Sequence, residues 1–194
     1  MKNLIVALGI VLTSVAHAET FQGIQFDWKL ADIKAAFPNS KIEFPHPAWE
    51  QKNERLLHMT GKGISGTIVI LLRHADYNSC IKSVDNLYEG KSLPPDTALK
   101  RLCDIYRNQK GVTPENAGTV DYIRWIPDPD INIESYYQKF GKPDTVYFDE
   151  DMTKTADWKR KGIAVGYLEY SGLVGYVTYT QSKQEVKNAI TNLK

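Results

Sequence analysis

The chain has 194 residues, with 24 basic and 23 acidic side chains and a formal net charge of +1. That near-balance, with no block of like charge, gives no electrostatic case for nucleic acid or anionic lipid as a partner. The length admits one domain with a proper core or a pair of small ones.

In chain order, the first element is a leader. Met1-Lys2-Asn3 is a short positive start, Leu4 to Val15 is a mostly apolar run, and Ala16-His17-Ala18 is the small-x-small pattern that signal peptidase reads. The expectation is a signal peptide over 1–18, with Glu19 opening the mature domain, 19–194. Removing 18 residues from 194 leaves 176, in which 23 basic side chains face 23 acidic ones once Lys2 is gone. The apolar run is about a dozen residues, where a membrane span needs roughly 20. No cysteine stands at the cleavage point to take a lipid. The expected location is therefore the periplasm, with release to the medium as a variant, and with neither a membrane span nor a lipid anchor.

The mature chain opens with Phe21-Gln22-Gly23-Ile24-Gln25-Phe26, read as a short strand. Asp27 is then the N-cap of a helix carrying Leu30, Ile33 and Phe37, which Pro38 ends. Lys41 to Phe44 reads as a strand, and Arg55–Thr60 and Thr67–Arg73 read as a pair around Gly61-Lys62-Gly63. Ile68 to Leu72 is apolar on both faces, as a central strand should be.

Two helical stripes follow. Cys80, Ile81, Val84, Leu87 and Tyr88 make the first; Leu99, Leu102, Cys103 and Tyr106 make the second, with a reversal at Ser92-Leu93-Pro94-Pro95. That hairpin brings Cys80 level with Cys103. The chain has no other cysteine and no C-x-x-C motif, so in an oxidising compartment the pair reads as a disulfide. Closing a loop of roughly 24 residues contributes on the order of 3 kcal/mol in the chain-entropy model.

Val112 to Pro129 is loop-like, with one strand at Tyr122–Ile126. Ile133, Tyr136, Tyr137 and Phe140 form an i, i+3, i+4, i+7 stripe closed by Gly141. Strands are expected at Thr145–Asp149, Gly162–Tyr170 and Val174–Thr180, with Lys154–Lys161 as a polar turn. A last helix begins at Ser182 with Glu185 three residues on, a capping box. The fold class this predicts is α+β: antiparallel sheet modules with helices packed on one face, and a disulfide-tied helical hairpin in the middle. The modules span about 19–76 and 131–194, joined by the hairpin and loop, 77–130. The same order of elements in Phe21–Arg73 and Ile131–Gln181 is what a duplication would leave, although residue identity between the halves is poor.

Two phrases carry a resemblance. Phe21-x-Gly23-Ile24-x-Phe26 followed by Leu30-x-x-Ile33-x-x-x-Phe37-Pro38, and Tyr137-x-x-Phe140-Gly141-Lys142-Pro143-Asp144 before a strand, are similar to small exported bacterial proteins built of tandem helix-plus-sheet modules. That group includes the beta-lactamase inhibitor protein and BamE-like proteins. The resemblance implies a protein that binds a protein partner across its sheet without catalysis. It rests on caps and core positions, and it transfers no functional residue.

Several constellations bear on chemistry. Ser79-Cys80-Ile81-Lys82 spells S-x-x-K, the spacing that lets a lysine amine help deprotonate a serine. Its companion motifs are missing, since Ser83-Val84-Asp85-Asn86 is not S-D-N and Lys154-Thr155-Ala156 is only near K-T-G. Gly63-Ile64-Ser65-Gly66 brings its second glycine one place early for a nucleophile elbow and reads as a turn. Among His46, His58 and His74, the last two lie on the paired strands and, with Asp76 or Glu54, could converge on a metal. Asp128-Pro129-Asp130-Ile131-Asn132 starts like a calcium loop but lacks the sixth-position glycine and the twelfth-position glutamate, so it reads as a helix-capping turn. Asp149-Glu150-Asp151 reads as a solvated loop. No catalytic residue, metal site or cofactor is assigned.

The surface feature singled out is aromatic. Eleven tyrosines suit half-exposed sheets, because a tyrosine buries its ring and keeps its hydroxyl near water. Trp158 in its polar turn, with Tyr167, Tyr170, Tyr176 and Tyr179 on the C-terminal strands, is the candidate binding set; the competing reading is ordinary cross-strand packing. The functional expectation is a non-catalytic exported binding, adaptor or inhibitor-like protein whose partner is another exported or envelope protein. The alternative is a small periplasmic hydrolase acting on an envelope substrate.

Overall fold

The computed structural model describes residues 21–45, 52–76, 109–149 and 153–181, together with Asn78, Cys80, Cys103, Asp104, Tyr106 and Arg107. The elements bounded within the described residues run in the order α1 (Leu30–Ala36), β1 (Ser40–Glu43), β2 (Glu54–Gly61), β3 (Thr67–Arg73), α2 (Pro114–Ala117), β4 (Thr119–Ile126), α3 (Glu134–Phe140), β5 (Thr145–Phe148), β6 (Thr153–Trp158), β7 (Ile163–Leu168) and β8 (Val174–Thr180). The strands form one antiparallel sheet in the order β1-β2-β3-β4-β8-β7-β6-β5.

That order has an internal symmetry. Each half is a helix followed by a four-strand meander, and the meanders meet at β4 and β8. The residue before α1, Lys29, bridges Thr119 at the start of β4, and Asn132 before α3 bridges Leu173 at the start of β8. Val120 N–H donates to Trp28 O at 3.0 Å, as Val174 N–H donates to Ile131 O at 2.8 Å. The register slips between Leu71 and Leu72 on β3 and between Gly166 and Tyr167 on β7, at equivalent places. Aligned on these features, Tyr122 matches Tyr176, Ile123 matches Val177, and Trp125 matches Tyr179. In the seam, Ile123 pairs with Tyr179, Trp125 with Val177, and Arg124 with Thr178. Arg124 and Thr178 occupy the same position in the two halves, so the pseudo-two-fold axis passes between them.

One face of the sheet holds the main core. Leu57, Met59, Ile68, Ile70, Ile123 and Val165 are fully buried there, and α1 and α3 pack on it through Leu30, Ile33, Tyr137 and Phe140. Alternation drives this: Leu57 and Met59 on β2, Ile68 and Ile70 on β3, and Ile163 and Val165 on β7 are every second residue of their strands and face inward. β3 is apolar on both faces, and Val69 and Leu71 on its second face are also buried. Gly141 closes α3 at φ +75, with its N–H on Tyr137 O. Gly66, at φ +87, lets β4 leave close by. A Cβ there would stand 2.1 Å from Ile126 O, while the Gly66 N–H is held by Asp128 Oδ2 at 2.9 Å.

The α+β expectation is overturned. Separate sheet modules give way to one continuous eight-stranded sheet, because β4 and β8 pair directly. The helices among the described residues are only 7, 4 and 7 residues long, about 10 Å or less at 1.5 Å per residue, so they cap the sheet without forming a layer. Three local readings change as well. Phe21–Phe26 is a run of turns, with Ile24 N–H on Phe21 O. α1 starts at Leu30 behind Lys29, whose N–H is taken by Asp32. The supposed polar turn at Lys154–Lys161 is mostly β6. Cys80 and Cys103 are bridged. The helical hairpin read around 81–102 and the helix from Ser182 lie outside the described residues. No helix among the described residues is long and apolar enough to cross a membrane.

Candidate functional site

The five aromatic candidates part company. Trp158 is buried, its ring 5.8 Å from both Tyr137 and Phe140 and its Nε1–H on Gly141 O at 2.9 Å. Tyr167 is buried with its hydroxyl 3.4 Å from that of Tyr137, and Tyr179 is buried with its ring 6.0 Å from Phe21. These three belong to the core beneath the helices, and cross-strand packing accounts for them. Tyr170 stands 87% exposed in the β7–β8 turn. Tyr176 alone lies on the second face, half-buried.

Around Tyr176 that face carries a polar and aromatic row running from the seam to the β5 edge. Tyr176 pairs directly with Gly166 on β7, and the missing side chain there makes room for its ring. A Cβ on Gly166 would lie 2.3 Å from the ring. The phenol reaches across β7, donates to Asp149 Oδ2 at 3.0 Å and lies 3.0 Å from Thr155 Oγ1. Thr155 donates to the same carboxylate oxygen at 2.6 Å. Arg124, on the seam, lays its guanidinium 4.3 Å from the Tyr176 ring centroid and 5.8 Å from that of Tyr122. Its Nε–H donates to Thr178 Oγ1 at 3.1 Å. Tyr147, 46% exposed on β5, sits beside Thr155.

The electrostatics follow from this packing. Burial pushes the phenols of Tyr122, Tyr147 and Tyr176 above the ordinary tyrosine value, so they act as neutral hydroxyls at physiological pH. Arg124 brings the positive charge that every arginine carries. Each other arginine among the described residues has a carboxylate: Arg55 has Glu115, Arg73 has Glu54 and Asp121, Arg107 has Asp104, and Arg160 has Asp144. Among the described residues Arg124 has none.

The other constellations do not assemble. His58 pairs with Val69, whereas His74 N–H meets Asn53 O. The two histidines are therefore offset by five residues, about 17 Å along the strand. Among the described residues no group of three or more His, Cys, Asp or Glu could hold a metal ion. His74 and Asp76 border a polar cleft of about 270 Å³ with Lys52 and Tyr106, from which His58 is absent. Asp128 is engaged by Gly66, and Asn132 Oδ1 accepts from Glu134 N–H at 3.0 Å, capping α3. Ser79, Lys82, His46, Glu150 and Asp151 lie outside the described residues.

No protein-family model matches the chain, and no curated protein or solved structure matches it either. Nothing in these comparisons links it to the beta-lactamase inhibitor protein or to BamE.

Sequence reasoning missed Arg124, Tyr122, Asp149, Thr155 and Gly166. One signal was available. Tyr122-x-Arg124 and Tyr176-x-Thr178 occupy matching places in the last strand of each half, but the match emerges only once β4 is counted as the fourth strand of the first.

Proposed function

We propose that the chain is an exported, non-catalytic binding protein of adaptor or inhibitor type. It captures another exported or envelope protein on the second face of its sheet, around Arg124, Tyr122, Tyr176 and Tyr147. The observation that carries this reading is a cation and aromatic row set on paired strands and tied by side-chain hydrogen bonds. Arg and Tyr are the residue types that dominate protein interfaces, and rigid placement lowers the entropy cost of association. The leader-like Met1–Ala18 segment and the Cys80–Cys103 bridge support export.

The test is crosslinking in cells with the full chain, followed by mass spectrometry, comparing the native protein with Arg124→Gln. One dominant partner, lost in a variant that keeps its thermal midpoint, supports the reading. Recovery of no partner above background by the native protein contradicts it. The alternative of a small periplasmic hydrolase has the polar cleft of His74 and Asp76 to draw on, and no assembled nucleophile-base pair is seen there among the described residues.

A further inference from the structure

We infer that Arg124 is the seat for a single carboxylate, supplied by an aspartate or glutamate side chain of the captured protein. This deepens the docking-face reading and rests on it.

An arginine presents five N–H donors in a planar fork. Here Nε–H is committed to Thr178 and the guanidinium is steadied by the Tyr176 ring at 4.3 Å, with the Tyr122 ring 5.8 Å away. Arg124 has no carboxylate among the described residues, in contrast to every other described arginine. Asp149, the acidic group of the row, is engaged by Thr155 and the Tyr176 phenol instead. A half-buried cation that has lost water without gaining a counter-ion is poised for one, and a fork of this shape matches the two oxygens of a carboxylate.

The charge count selects the ligand. Arg124 and Asp149 already cancel on this part of the face, so an added carboxylate leaves one uncompensated negative charge and a phosphate dianion leaves two, which favours the carboxylate. The symmetry makes the seat single. At the pseudo-axis β4 supplies Arg124 while β8 supplies neutral Thr178, with the equivalent tyrosines Tyr122 and Tyr176 flanking the pair.

The test follows the arginine Nε–Hε signals of the full chain by nitrogen-15 NMR. Sodium acetate is the probe, with sodium chloride at matched ionic strength and inorganic phosphate as comparisons. The expected result is a saturable shift of the Arg124 signal, larger than that of ion-paired Arg160, that chloride does not reproduce. A shift no larger than Arg160's, or one matched by chloride, overturns the inference, and tighter binding of phosphate overturns the choice of carboxylate. On the captured partner, Arg124→Gln should weaken binding by about 10- to 100-fold, the range expected for a charged hydrogen bond. Arg124→Lys, which keeps the charge and loses the fork, should recover only part of it. A partner held equally well by the Gln variant sinks the carboxylate seat while the docking face stands. An acetate response in a protein that captures no partner overturns the docking reading, and with it the owner assigned to the carboxylate.

Discussion

Gly166→Ala should cost about 2 kcal/mol, and it should do so only while Tyr176 is present. The new methyl carbon would stand 2.3, 2.4 and 2.8 Å from three carbons of the Tyr176 ring, inside any tolerable contact. If the ring swings away, it loses its bonds to Asp149 and Thr155, worth about 1 kcal/mol each. It also leaves the Arg124 guanidinium, worth about 0.5–1 kcal/mol. Replacing glycine in a strand returns about 0.4–1 kcal/mol through the unfolded chain, leaving a net loss near 2. If the backbone moves instead, the usual cost of overpacking is about 1–3 kcal/mol, and the two routes agree. For a chain of this size the thermal midpoint should fall by about 4–8 °C. Gly175→Ala is the control, since its Cβ would meet only Gly166 O at 3.9 Å, and its midpoint should stay within about 1–2 °C of native. Urea unfolding of Gly166→Ala, Tyr176→Ala and the double variant then measures the coupling. With the ring gone, the methyl group should cost almost nothing, so the coupling term should be about 2 kcal/mol. Simple additivity, or a neutral Gly166→Ala, would refute the placement of Tyr176 over β7.

Three further outcomes are expected. Trp158→Ala should destabilise by about 3–5 kcal/mol as a core deletion, whereas Trp158→Phe, which keeps most of the ring contacts with Tyr137 and Phe140, should cost far less in a denaturant series. The Tyr137 phenol is pushed up to about 12, first by burial and then by its hydrogen bond to Tyr167, against about 10 in the unfolded chain. The folded state therefore holds that proton more tightly, so its contribution is intact below pH ~10 and disappears as pH rises towards 12. Thermal midpoints should accordingly fall across that window, less steeply in Tyr137→Phe, although Tyr122, Tyr147 and Tyr176 shift in the same direction and retain part of the slope. The edge strand β5 exposes Val146, Tyr147 and Phe148 at 48, 46 and 61% and contains no charge, while the opposite edge, β1, carries the Lys41–Glu43 ion pair. Charges guard sheet edges against pairing with other chains, so Val146→Lys should reduce light scattering on heating and change stability by no more than about 0.5 kcal/mol.

Much of the secondary structure was legible because alternation and stop signals report it directly. Ile68 to Leu72 announced a central strand, and the Ile133, Tyr136, Tyr137, Phe140 stripe with Gly141 announced α3. β6 was hidden because its outward positions, Thr153, Thr155 and Asp157, and its inward Lys154 and small Ala156 read as a polar turn. Trp158 consequently looked stranded in a loop when it anchors α3 to the sheet. The opening Phe21–Phe26 alternates like a strand, yet Gln22 and Gly23 adopt positive φ and turn the segment back. The joining of two meanders into one sheet is a long-range pairing, set by which edges meet, and no local period encodes it. Arg124 was passed over for the same reason. A lone arginine in a strand means little until Thr178, Tyr176 and the absence of a described carboxylate partner are seen around it.

Docking of a partner on the second face of the sheet, at the β4–β8 seam and beyond it, can be mapped position by position. The most direct measurement places a photoactivatable residue in turn at Tyr147 and Thr180 on that face, and at Lys34 and Gln138 on the exposed sides of α1 and α3, in the full chain in living cells. Docking there should give one dominant adduct from positions 147 and 180, none from 34 and 138, and its loss when Arg124→Gln is added. Adducts spread evenly over all four positions, or found only at the helices, would contradict it.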